Sequence, residues 1–91
     1  MFEVVATSLF RKQLKKCRKR GWDLNKLNEV VEMLQRGETL PQRYQDHGLV
    51  GDRKGLRDCH IQPDWVLIYE IKENELVLLL METGSHSDLG L

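Results

Sequence analysis

With 91 residues, fourteen Lys and Arg and fourteen Asp and Glu, the chain is formally neutral. A domain of this size buries roughly 60–70% of its unfolded surface, enough for one modest core and no separate substrate domain. No run approaches the about 20 apolar residues that cross a bilayer, and the N-terminus lacks a secretory leader pattern, so a soluble cytoplasmic protein with no membrane partner is expected.

In chain order, residues 2–6 form a short β-rich start. Ser8 can cap a first helix whose apolar positions Phe10, Leu14 and Cys17 recur at helical spacing and which Gly21 closes. This helix carries Arg11, Lys12, Lys15, Lys16, Arg18, Lys19 and Arg20, whereas beyond His60 only Lys72 stands against six acids. One surface is thus basic within a neutral whole. It suits a polyanion or an acidic protein, or it is an ordinary solvated helix face, and the neutral total argues against tight unaided nucleic-acid binding.

Asp23 can cap a second helix with Leu24, Leu27, Val30, Val31 and Leu34, ended by Gly37 and antiparallel to the first. Residues 39–55 read as a polar loop with Gly48, Gly51 and Gly55. They lack the Gly-Lys-Ser/Thr ending of a phosphate-binding loop, which excludes an ordinary nucleoside triphosphatase. Strands over residues 56–61, 65–71 and 75–81 follow, joined by turns at Gln62-Pro63-Asp64 and Lys72-Glu73-Asn74. No linker, repeat or low-complexity segment divides residues 1–91, which read as a single domain. The expected fold is α+β: a strand, two antiparallel helices, then a three-stranded meander, with the helices on one face of a four-stranded sheet.

Strand arithmetic brings chemistry together. The meander returns the chain so that His60, Asp64, Trp65, Glu82 and His86 share one end of the sheet. Two imidazoles that change charge near pH 6.5 can divide proton removal from proton supply, as metal-free cleavage of an RNA phosphodiester by its own 2′-hydroxyl requires. Each residue also has a plainer role. Asp64 after Pro63 can cap a turn, Trp65 can anchor the core or stack on a base, and His47 is a loop histidine that becomes a third proton carrier if it swings over the sheet end. His47, Cys59, His60 and His86 carry metal-ligating atoms, but strand alternation sends Cys59 and His60 to opposite faces, so no metal is expected. Cys17 and Cys59 lack CxxC spacing and read as free core thiols of a reducing compartment.

Thr39-Leu40-Pro41, Asp46-His47-Gly48-Leu49, Gly51, the run from Gly55 to Trp65, Leu67-Ile68-Tyr69 and Thr83-Gly84-Ser85-His86-Ser87-Asp88-Leu89 closely resemble the YafQ-like branch of the RelE/ParE superfamily, toxins of bacterial type II toxin–antitoxin systems. The resemblance spans nearly the whole chain in order. It implies a RelE-like domain and a ribosome-dependent messenger-RNA endonuclease needing no cofactor, held inactive in a hetero-oligomer with a cognate antitoxin. His47, His60, Asp64 and His86 match the catalytic positions. Trp65 matches a residue near bound RNA, and Lys15, Lys16, Lys54 and Arg57 are the basic side chains expected to meet it.

Two features depart from that pattern. Glu82 replaces an arginine that usually precedes Thr-Gly-Ser/Thr-His, and Gly90-Leu91 replaces a terminal aromatic. Like charges about 4 Å apart repel by about 4 kcal/mol at an effective dielectric near 20, enough to erase much of the electrostatic assistance to a developing phosphorane, unless Arg57 or another cation takes the role. Two readings stay open: an endoribonuclease attenuated by Glu82, and a catalytically silent member of the fold whose role is antitoxin binding.

Overall fold

The computed structural model describes residues 1–91. Strand β1 (Glu3–Ala6) leads into helix α1 (Ser8–Lys19) and helix α2 (Leu24–Gln35); then come β2 (His47–Gly48), β3 (Arg57–Gln62), β4 (Trp65–Lys72), β5 (Val77–Gly84) and a four-residue helix α3 (His86–Leu89). The α+β architecture expected from the sequence is present, with two differences of detail. The sheet has five strands in the order β1-β5-β4-β3-β2, with β1 parallel to β5 and the other pairs antiparallel. The added strand, β2, is two residues long and pairs His47 with Asp58 and Gly48 with Arg57, too short for any period-2 pattern to announce it. The second difference is α3.

Thr7, rather than Ser8, caps α1. Both are good capping residues, but the Thr7 hydroxyl accepts from the Phe10 N–H at 3.0 Å while donating to the Met81 carbonyl at 2.8 Å, so contact with β5 decides between them. Asp23 caps α2 as expected, accepting from the Asn25 N–H at 3.0 Å. The last strand begins at Val77, two residues later than expected, because Glu73–Glu75 winds into a 3₁₀ turn and Leu76 adopts a left-handed φ of 55°.

The two faces of the sheet are covered differently. Cys59, Ile61, Trp65, Leu67, Tyr69, Leu78 and Leu80 meet Phe10, Cys17, Leu27, Val30 and Leu34 of the helices, with Leu40 and Tyr44 closing one side. The other face has only Val66, Ile68 and Leu89 as its buried apolar cluster, bordered by Leu49, Leu56 and Met81. β4 is therefore buried on both sides, which is why Trp65 to Tyr69 is an unbroken apolar run instead of an alternating one. No helix is long and apolar enough to cross a membrane.

Candidate functional site

The less covered face carries the histidines. His60 lies opposite Val66 on β4, and Val66 lies opposite Gly84 on β5, so the register sets His60 and the start of α3 on either side of one strand. The chain then turns at Ser85, whose hydroxyl accepts from the Asp88 N–H at 3.0 Å while the Asp88 carboxylate accepts from the Ser85 N–H at 2.9 Å. This reciprocal capping box starts α3. Its signature, serine followed three residues later by an acid, stands in the sequence at Ser85 and Asp88, but no apolar run follows it, so no helix is expected there from the sequence.

His86, the first residue of α3, is held by Asp64 at the β3–β4 turn. One carboxylate oxygen, Oδ1, accepts the His86 backbone N–H at 2.9 Å and sits 2.6 Å from ring Nδ1. The His86 N–H, and after it the His86 ring, keep the Asp64 carboxyl below the ordinary carboxylate range. An ionised carboxylate only accepts, so the Nδ1 of His86 bears the proton and the Nε2 of the neutral ring has its lone pair free. The His60 ring meets the His86 ring edge to face, with centroids 5.0 Å apart and an interplanar angle of 85°. Behind His60, Asp58 is buried, with its Oδ1 3.6 Å from His60 Nε2 and without a hydrogen-bond partner. Asp58 is not among the site residues expected from the sequence, although residues i and i+2 of a strand share a face and so place Asp58 beside His60.

Three of the four expected catalytic residues, His60, Asp64 and His86, thus come together directly. His47 lies on strand β2 and not on a free loop. It is paired with Asp58, two residues from His60 along β3, with its Nδ1 2.7 Å from the Gln45 carbonyl. Beside His60, where β2 has ended and β3 has a free edge, an open groove of about 520 Å³ is bordered by Lys26, Glu29, Arg43 and Tyr44.

The expected RNA-contacting residues divide. Trp65 is only 1% exposed; its Nε1 donates to the Thr83 hydroxyl at 2.9 Å, and Trp22 packs against its ring at a centroid distance of 5.0 Å. A base cannot reach that ring to stack, so Trp65 is a core residue and the RNA contact expected of it is corrected. Arg57 is likewise withdrawn from the histidines. By alternation it belongs to the helix-covered face, where its Nε bonds Asp46 at 3.2 Å and Asp46 also accepts from the Tyr69 hydroxyl at 2.6 Å. Lys15 and Lys54 are exposed, and Lys16 lies 3.4 Å from Asp88. Glu82, opposite Ile68, sits two residues before Gly84; its polar partners are Gln13 at 3.4 Å and Arg53 at 4.0 Å. No group of three or more His, Cys, Asp or Glu side chains is placed to hold a metal ion.

A small mixed sheet with two helices on one face and a histidine pair on the other defines a RelE-like toxin fold, and comparison with known proteins agrees. The chain belongs to the YafQ family, whose model, described as a bacterial toxin of the type II toxin–antitoxin system, matches residues 2–90. It is 40% identical over 81 residues to the mRNA interferase toxin YafQ of Escherichia coli K12, covering 88% of this chain and 86% of that one. The crystal structure of YafQ from E. coli BL21(DE3) superimposes with a TM-score of 0.90 at 34% identity, over 98% of both chains. In the E. coli DinJ–YafQ toxin–antitoxin complex the similar chain gives a TM-score of 0.87 at 36% identity, over 97% of this chain and 96% of that one.

Proposed function

We propose that this toxin is an endoribonuclease that cuts messenger RNA presented by the ribosome in the cytoplasm, with His60 and His86 as its proton carriers. The observation that carries the reading is the paired imidazoles, one of them fixed in tautomer and direction by Asp64. One ring takes the proton of the 2′-hydroxyl as that oxygen bonds to phosphorus. The other gives a proton to the 5′-oxygen as the P–O5′ bond breaks, leaving a 2′,3′-cyclic phosphate and a free 5′-hydroxyl. Asp64 steadies the positive charge on His86 when it is protonated. His47 stands close enough in register to assist, and exposed Lys15 and Lys54 are available to the RNA backbone. Presentation of the transcript by the ribosome would relieve this neutral chain of the need for tight RNA binding of its own.

Glu82 attenuates this chemistry. It places negative charge on β5 two residues before Gly84, which shares the row of His60, and the neighbouring Arg53 is shared between that carboxylate and the Leu89 carbonyl, to which it donates at 3.1 Å. The same observation favours the second reading, a silent toxin whose role is to bind its antitoxin. That partner is an acidic or amphipathic protein segment docking over basic α1 and the histidine end of the sheet, in line with the DinJ–YafQ assembly of the E. coli relative.

Programmed ribosomes incubated with the original chain, His86→Ala and Glu82→Arg separate these readings. Cleavage by the original that falls about 10²- to 10⁴-fold in His86→Ala supports the enzyme. Cleavage only by Glu82→Arg supports a silenced one. If none of the three cuts RNA, the nuclease reading is lost.

A further inference from the structure

Four residues of helix do not hold a shape in water on their own, so something outside α3 must keep His86 where it is. Gln13, Lys16 and Arg20 of α1 and its C-terminal cap, spaced i, i+3 and i+7, lie along one side of the helix, and that side faces the end of β5 and α3. Gln13 Oε1 accepts the Thr83 N–H at 2.9 Å, tying down β5 where β1 no longer pairs with it. About two turns further on, the Arg20 guanidinium grips Asp88 with two bonds, Nη1 to Oδ2 at 2.6 Å and Nη2 to Oδ1 at 3.0 Å, and Lys16 adds a longer contact.

Both partners are seated by the rest of the molecule. Arg20 stacks over Trp22, its Cζ 5.1 Å from the ring centroid, and Trp22 packs on buried Trp65. Asp88 closes the capping box with Ser85, and a Cβ at Gly84 would fall 2.9 Å from its Oδ2, so the carboxylate leaves that position room for glycine alone unless it moves. Whatever fixes Asp88 therefore fixes Ser85, and the next residue is His86.

We propose that Arg20, by gripping Asp88, is a positioning residue that sets the place of His86 against Asp64 and His60. It touches neither imidazole and acts through the α3 cap. The two parallel bonds define a direction as well as an attraction, which suits a role in orientation. Arg20, and then the Ser85 N–H, hold the Asp88 carboxyl far below the ordinary carboxylate range, so the grip is complete above that range and is lost only in strong acid. The kinetic consequence rests on His86 being a proton carrier; the structural one does not.

The test uses the full chain with Arg20→Gln, Arg20→Lys and Asp88→Asn. In the free protein, proton NMR reads the contact between the His60 and His86 rings, and the carboxyl carbon of Asp64 is titrated. Arg20→Gln and Asp88→Asn are expected to lose the ring contact and to return the Asp64 carboxyl toward its ordinary range, while the thermal midpoint hardly moves. Arg20→Lys, which keeps the charge and loses the fork, recovers part of both. On programmed ribosomes single-turnover cleavage should fall about 10- to 100-fold with KM little changed, the signature of a displaced catalytic group. An unaltered ring contact and Asp64 titration in Arg20→Gln and Asp88→Asn would overturn the proposal even if both variants cut RNA poorly. A lost contact in a chain that never cuts RNA would leave the positioning role standing and remove the nuclease reading.

Discussion

The two faces of this sheet are built from the same strands and do different work. Toward α1 and α2, the apolar side chains of the strands and the helices form one cluster of fourteen buried residues. Toward α3, buried Val66 and Ile68 meet Leu89 of that four-residue helix, and around them sit groups that a core would not tolerate: a buried carboxylate lacking a hydrogen-bond partner for one oxygen, and two imidazoles in contact with each other. A face that is thickly covered can hold the register. A face that is thinly covered leaves its polar groups within reach of a substrate, and it must then be held by caps and ion pairs in place of apolar packing. The strands that carry His60 and Asp58 outward carry Cys59 and Ile61 inward, so the stability of one side sets the geometry of the other.

This contrast can be broken most forcefully at Trp65. Replacing it by Ala removes the largest side chain of the thick face and should cost about 3–5 kcal/mol in urea denaturation, with loss of the Trp22 packing and of the Thr83 hydrogen bond. A loss below about 1 kcal/mol, in the range of ordinary surface substitutions, would mean that the ring is not the core residue its burial indicates.

Leu89→Ala tests the thin face. Buried Leu→Ala changes cost about 2–5 kcal/mol, but α3 can open by itself, so the global unfolding transition should register only the low end of that range or less. Hydrogen exchange at the His86 N–H, the group that donates to Asp64, should accelerate well beyond that of the β4 amides. Equal acceleration throughout would show that the two faces are one cooperative unit, and the contrast would fail.

A smaller, pH-dependent effect marks the thick face. Burial, with help from Asp46 and Asp58, raises the Cys59 thiol far above its unfolded value of 9.0. Above pH 9 the unfolded chain gives up that proton while the folded chain keeps it, so stability falls as pH rises, with a slope approaching about 1.4 kcal/mol per pH unit. Cys59→Ala should flatten the first part of this decline. Stability measured between pH 8.5 and about 10, where tyrosine begins to titrate, gives the comparison.

Much of this was legible in the chain. Asp23 with its apolar positions at helical spacing gave α2, and the turn at Pro63 with two following apolar runs gave the meander, because these are local signals of capping and periodicity. The meeting of His60 with His86 followed from the same arithmetic. Arg57 could have been placed correctly as well: the alternation that separates Cys59 from His60 also turns Arg57 away from it. Trp65 could not. A tryptophan beside a histidine motif reads equally well as a base-stacking ring or a core anchor, and its burial depends on α1 and α2 lying over it.

By itself, then, the order of residues determined the two long helices, the three strands of the meander and the approach of two imidazoles, since each of these depends on spacing along a single chain. Only the folded molecule decided which side of each strand is covered, that β1 lies parallel to β5, and that Arg20 reaches Asp88 across 68 positions of sequence. The physical reason is that ion pairs and two-sided burial depend on which surfaces are pressed together, and no spacing within one element encodes that.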